Sequence, residues 1–80
     1  MTEQNEKFPV HESLKVLDGE TIFKTDKWWL AVLKTESFGR IMVNIYLWVK
    51  RGDKWKRQQK LGIRGKESWS KIKTAVDKFI

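Results

Sequence analysis

The 80-residue chain contains no cysteine, a single histidine (His11) and a single proline (Pro9). Without cysteine there is no disulfide framework, no thiolate nucleophile and no cysteine-ligated zinc. One histidine cannot build a metal site by itself. No apolar run approaches the roughly 18 residues that a membrane span needs. The first residues, Met1-Thr2-Glu3-Gln4-Asn5-Glu6, are polar and acidic, the opposite of a signal peptide's start. The expectation is therefore a soluble intracellular protein, in the cytoplasm or nucleoid, or in the nucleus if eukaryotic. No carboxylate pair, Ser/His set or glycine-rich phosphate loop stands out, so the chain reads as a non-enzyme with no cofactor and no metal.

Acidic residues are also scarce beyond position 20. Residues 1–20 hold five acids and two bases, a net of −3, whereas residues 21–80 hold five acids and 15 bases, a net of +10. The total is +7, with a pI near 9.9. A domain so basic points to a polyanionic partner, either nucleic acid or an anionic membrane face. Hydrophobic content of 40% with five tryptophans excludes disorder for the bulk of the chain. A chain of this length buries only about 60% of its unfolded surface, so its stability is marginal, and dimerisation is one common remedy.

Residues 1–18 show no clean periodicity and read as an acidic flexible arm, with apolar islands at Phe8-Pro9-Val10 and at Leu14, Val16 and Leu17. An edge strand around residues 14–17 is the other reading, and Asp18-Gly19 is a turn signal. Residues 19–80 read as one sheet-plus-helix domain. Strands are expected at 20–25 and 27–34, followed by a loop at 35–39. The clearest strand is 40–50, where Ile41, Val43, Ile45, Leu47 and Val49 alternate with Met42, Asn44, Tyr46, Trp48 and Lys50. That is period two, with an aliphatic face and an aromatic–polar face. Arg51-Gly52-Asp53 makes a hairpin turn into a fourth strand over 54–63. The period then changes, with Trp69, Ile72, Val76, Phe79 and Ile80 forming one helical stripe. Gly65 or Ser68 is the expected N-cap. The fold class is α+β, a four-stranded antiparallel sheet followed by one C-terminal helix.

The helix stripe would cover the aliphatic face. Asn44, Tyr46 and Trp48 would then point outward from a sheet face that nothing in the chain covers. Exposed aromatics flanked by bases suit single strands, because rings stack on bases at roughly 1–3 kcal/mol each and cations follow the phosphates. Six bases fall between Lys50 and Lys60, namely Lys50, Arg51, Lys54, Lys56, Arg57 and Lys60, against the one acid Asp53, and Trp55 sits among them. The plainer reading stays open. Tryptophans are mostly packing residues, Trp69 on the helix stripe is expected in the core, and lysines on a hairpin also guard a sheet edge. Adjacent strand residues Trp28 and Trp29 would point to opposite faces.

Gly39-Arg40-Ile41-Met42-Val43-Asn44-Ile45-Tyr46-Leu47-Trp48 resembles the strand motif of the positive cofactor four domain, a transcriptional coactivator that binds single-stranded DNA. Lys60-Leu61-Gly62-Ile63 is similar to its Lys-Gly-Ile signature, with Leu61 inserted. Glu67-Ser68-Trp69 with Ile72 is similar to its helix start, although Gly65-Lys66 stands where the family has a proline. Leu33 and Ser37 replace a base and an aromatic that the family often carries near the end of the second strand. The resemblance spans residues 20–80. It implies a curved sheet, a homodimer and DNA along the outer sheet faces, with the transcription machinery as a further partner. Arg40 would be the base after the glycine, Tyr46 and Trp48 would face DNA, and Lys60 would be the signature base. Trp29 would share the outer face and Trp28 would enter the core.

The expected function is non-sequence-specific single-stranded DNA binding, in transcription, replication or repair. Its expected residues are Trp29, Arg40, Tyr46, Trp48, Arg51, Lys54, Lys56, Arg57 and Lys60, and the acidic arm is placed to compete for the same face. The alternatives are a chromatin-type binder of double-stranded DNA or of RNA, and a protein–protein adaptor docking on an acidic partner. Membrane association is disfavoured, because no basic amphipathic helix has a large exposed apolar face.

Overall fold

A computed structural model describes residues 8–11 and 13–80. Four strands, β1 (Lys15–Lys24), β2 (Trp28–Ser37), β3 (Arg40–Arg51) and β4 (Lys54–Ile63), are followed by the helix α1 (Lys66–Phe79). The sheet is an antiparallel meander with the order β1-β2-β3-β4. The expected class and element order hold.

The β2–β3 register is unbroken from Trp28↔Val49 to Ser37↔Arg40. The loop expected at 35–39 shrinks to two residues, Phe38 and Gly39, both at positive φ (52° and 77°). This is the pattern of a type I′ turn, whose twist matches that of the strands it joins. Gly39 takes that backbone freely, whereas the phenylalanine does not. Phe38 is fully exposed, so its ring gives back no packing. Phe38→Asn creates the Asn-Gly pair that such turns favour and is expected to raise stability by roughly 0.5–1 kcal/mol. A thermal melt checks this; an unchanged or lower midpoint counts against it.

β1 joins the strand expected at 20–25 to the edge strand that is the other reading of residues 14–17, and only the expected turn between them is absent. It starts at Lys15 and runs through Asp18-Gly19 without turning, so part of the expected arm belongs to the sheet. Residues 1–7 and 12 of that arm lie outside the described residues. The register shifts between Val16 and Asp18, and again between Thr21 and Phe23. These irregularities absorb the extra residues and add local twist. Asp18 Oδ1 accepts the Gly19 N–H at 2.8 Å, so the Asp-Gly pair serves an irregular strand rather than a turn.

Residues paired across strands share a face, so the register defines two surfaces. On one lie Trp29, Ala31, Leu33 and Thr35 of β2 with Asn44, Tyr46 and Trp48 of β3; on the other lie Leu30 and Val32 with Val43, Ile45 and Leu47. The core sits on the aromatic side. Trp29, Ala31, Leu33, Tyr46 and Trp48 are buried, and Phe8, Val10, Leu14, Val16 and Trp55 pack against them. This overturns the expected exposure of Trp29, Tyr46 and Trp48. Their face assignment is right, but the segment preceding β1 covers them. Trp28, placed in the core by parity, is exposed.

α1 lies beside the aliphatic face. Trp69 and Lys66 border a groove of about 400 Å³ together with Val32, Val43, Ile45 and Ile63. Its N-cap is Gly65, with no side-chain cap bond, and no residue of the helix is buried. Trp69 remains 43% exposed. The expected helix cover is therefore only partial, because α1 approaches the sheet chiefly at β4 and leaves the groove over Val32, Val43 and Ile45 open.

Candidate nucleic-acid interface

The aromatic face is a continuous row of rings. Tyr46 and Trp48 stack in parallel (centroids 5.2 Å apart, planes 4° apart), Trp48 meets Trp29 at 5.0 Å, and Trp29 meets Trp55 edge-on at 5.5 Å. Strand pitch explains the row. Tyr46 and Trp48 are two residues apart on β3, and Trp29 lies directly opposite Trp48 on β2. The Trp29 indole Nε1–H donates to Thr21 Oγ1 on β1 at 3.0 Å, which fixes that ring. Below the rings, Asn44 Nδ2 donates to Thr35 Oγ1 at 3.2 Å, inside the sheet's buried layer. Among the described residues, Asn44 Oδ1 and Trp48 Nε1 are buried and find no hydrogen-bond partner.

Cations border the row. The Lys24 ammonium lies 3.9 Å from the Trp29 ring centroid, Lys50 lies 5.7 Å from Trp55, and Lys60 lies 5.6 Å from Tyr46. A cation over a ring face is attracted by its quadrupole. Here it also puts positive charge within reach of anything lying on the rings.

Of the expected residues, Trp29, Tyr46, Trp48 and Lys60 are brought together. Arg57 pairs with Trp48 across an irregularity in β4 and joins the same face. Arg40 shares the face but pairs with Ser37 at its far end, six residues and roughly 20 Å along the strand from Tyr46. Arg51 pairs with Lys54, and Lys56 with Val49, which puts these three on the aliphatic side near the hairpin tip. Lys24 and Phe8 belong to the site but were not expected there. The register that sets Lys24 opposite Trp29 depends on the β1 bulges, which no pattern in the sequence announces. Lys50 and Trp55 were visible in the basic cluster, and their pairing with each other supplies the missing link.

Among the described residues no three or more His, Asp or Glu side chains gather to hold a metal, and no helix is long and apolar enough to cross a membrane. No protein-family model, curated protein or solved structure matches the chain.

Proposed function

We propose that this protein binds single-stranded DNA without sequence specificity through its aromatic face, as a homodimer, in transcription, replication or repair inside the cell. The observation that carries the reading is the four-ring row bordered by lysines over the rings. The aliphatic residues of β3, Ile41, Val43, Ile45 and Leu47, lie on the opposite face, so the aromatic side chains of β2 and β3 are gathered on this one. Flat rings offer stacking to unpaired bases, whose π-faces a duplex keeps hidden. Lys24, Lys50, Arg57 and Lys60 are then the phosphate partners. Arg40 extends the track, and Arg51, Lys54 and Lys56 add a long-range attractive field.

A second copy is supported by the other face. Ile22, Ile41, Val43, Leu61, Trp69, Val76, Phe79 and Ile80 are all exposed large hydrophobics, more than a monomer of this size usually shows water. Pairing through this side would leave the aromatic faces of both copies outside the dimer contact.

The test is a salt-titrated binding series with oligo-dT, a duplex of equal length and RNA. With about four phosphates neutralised, the log–log slope for the single strand is expected near −3. Oligo-dT should bind about tenfold or more tighter than duplex and quench tryptophan fluorescence. Equal affinity for duplex would favour the chromatin-type reading, and no binding of any strand at low salt would remove nucleic acid from consideration.

A further inference from the structure

The aromatic face is occupied in the free chain. The Phe8 ring sits 5.4 Å from Trp29 and 6.1 Å from Trp48, tilted only 27° from the latter. That is close to the stacked arrangement a base would adopt on the same ring. A backbone bond from Val10 N–H to Phe8 C=O (2.8 Å) closes a tight turn over Pro9, and Leu14 N–H reaches His11 C=O at 3.0 Å. Among the described residues, the backbone hydrogen bonds of residues 8–14 are internal to that segment. Among the described residues it is side-chain packing that joins it to the sheet, and Phe8, Val10 and Leu14 are only partly buried. Such a segment opens at low cost compared with a paired strand.

Two further features belong to this covered state. Gly19, on β1 beneath the segment, leaves the room that the ring uses. A Cβ at that position would lie 2.7 Å from the Phe8 ring and 2.7 Å from a Leu33 methyl. The covered state also leaves the Trp48 indole N–H buried without an acceptor among the described residues. A buried donor without a partner is unfavourable, and a base carbonyl or water reaching the opened face would satisfy it.

We propose that the segment carrying Phe8, Val10 and Leu14 is an internal competitor, with Phe8 standing in for a stacked base, so that single-strand binding proceeds by its displacement. The inference rests on the single-strand reading and adds regulation to it. Apolar mimicry, rather than the acidity of residues 1–20, sets the competition. Ligand affinity is then lowered by the fraction of molecules in which the face is closed.

The experiment uses the full-length chain and oligo-dT at one fixed salt concentration. Phe8→Ala is expected to bind roughly five- to tenfold tighter than the unaltered chain. Gly19→Ala, which crowds the ring instead of leaving a cavity, is expected to shift affinity in the same direction. In the unaltered chain, nuclear Overhauser contacts between the Phe8 ring and the Trp29 and Trp48 indoles should vanish at oligo-dT saturation. Contacts that persist at saturation overturn the proposal whatever the variants do, and so does equal affinity of Phe8→Ala and the unaltered chain. If neither binds, the single-strand reading fails and the displacement falls with it. If both bind with the contacts intact, only the displacement falls.

Discussion

Trp48→Ala is expected to lower the free energy of unfolding by about 3–5 kcal/mol, which for a domain this small is most of its stability. Trp48 is fully buried. Its ring contacts Trp29, Tyr46 and Phe8 at centroid distances of 5.0, 5.2 and 6.1 Å, so its removal strips a partner from three aromatic contacts at once. These neighbours lie on different elements, and Trp29 is tied to Thr21, which limits how far the site can collapse around the cavity. Trp48→Phe should cost much less, because it keeps a stacking ring and deletes a buried N–H that finds no acceptor among the described residues. Urea unfolding followed by circular dichroism checks both. A Trp48→Ala loss below about 1 kcal/mol would mean that the ring behaves as surface and that the cover over it is not held. The consequence for function is direct. Loss of DNA binding in Trp48→Ala would not by itself demonstrate stacking, since the fold is expected to go with it. The proposed stacking has to be read from fluorescence and nuclear Overhauser contacts in the unaltered chain.

The alternation of residues 40–50 made the two faces of β3 legible. From there the aromatic set Trp29, Tyr46 and Trp48 could be grouped before any coordinates, and the structure groups the same residues. What sequence could not decide was which face would be covered, and by what. Phe8, Val10, Leu14 and Val16 share one parity, but Glu12 interrupts it and Pro9 and Leu17 stand at the other parity, so the pattern is too broken to announce the cover they form. Asp18-Gly19 misled for a related reason. The pair carries a turn's chemistry, but the glycine is used for the close approach of Phe8 and Leu33, and the aspartate bonds its own neighbour. Lys24 illustrates the limit for site residues. Its place over Trp29 depends on two bulges in β1, each of which changes the facing of every residue beyond it. The helix stripe was correctly read as apolar, but apolar periodicity does not say whether the surface it meets is in the same chain.

The helix supplies the last expected result. α1 has 14 residues, no side-chain N-cap and no buried residue. Its local support is two exposed i,i+4 pairs, Glu67–Lys71 at 3.8 Å and Lys73–Asp77 at 3.0 Å, each worth about 0.3–0.5 kcal/mol. A helix of that length is marginal in water on local terms alone. On the homodimer proposal a second copy supplies the rest, through the groove beside Trp69 and the stripe of Ile72, Val76 and Phe79. The combined change Val76→Glu and Phe79→Glu is therefore expected to dissociate the proposed dimer and melt the helix together. Each side chain contributes roughly 1.5–3 kcal/mol when buried, and a two-fold interface uses each of them twice. The self-association constant should then weaken by more than about a thousandfold. Sedimentation equilibrium reads the first effect, and ellipticity at 222 nm as a function of protein concentration reads the second. If the unaltered chain sediments as a monomer at tens of micromolar with its helical signal intact on dilution, then α1 stands without a partner and the second-copy reading is lost. If the doubly substituted chain becomes monomeric yet keeps its helix, the interface is real, but the helix owes its stability to the sheet of its own chain, through the contact between Trp69 and the groove.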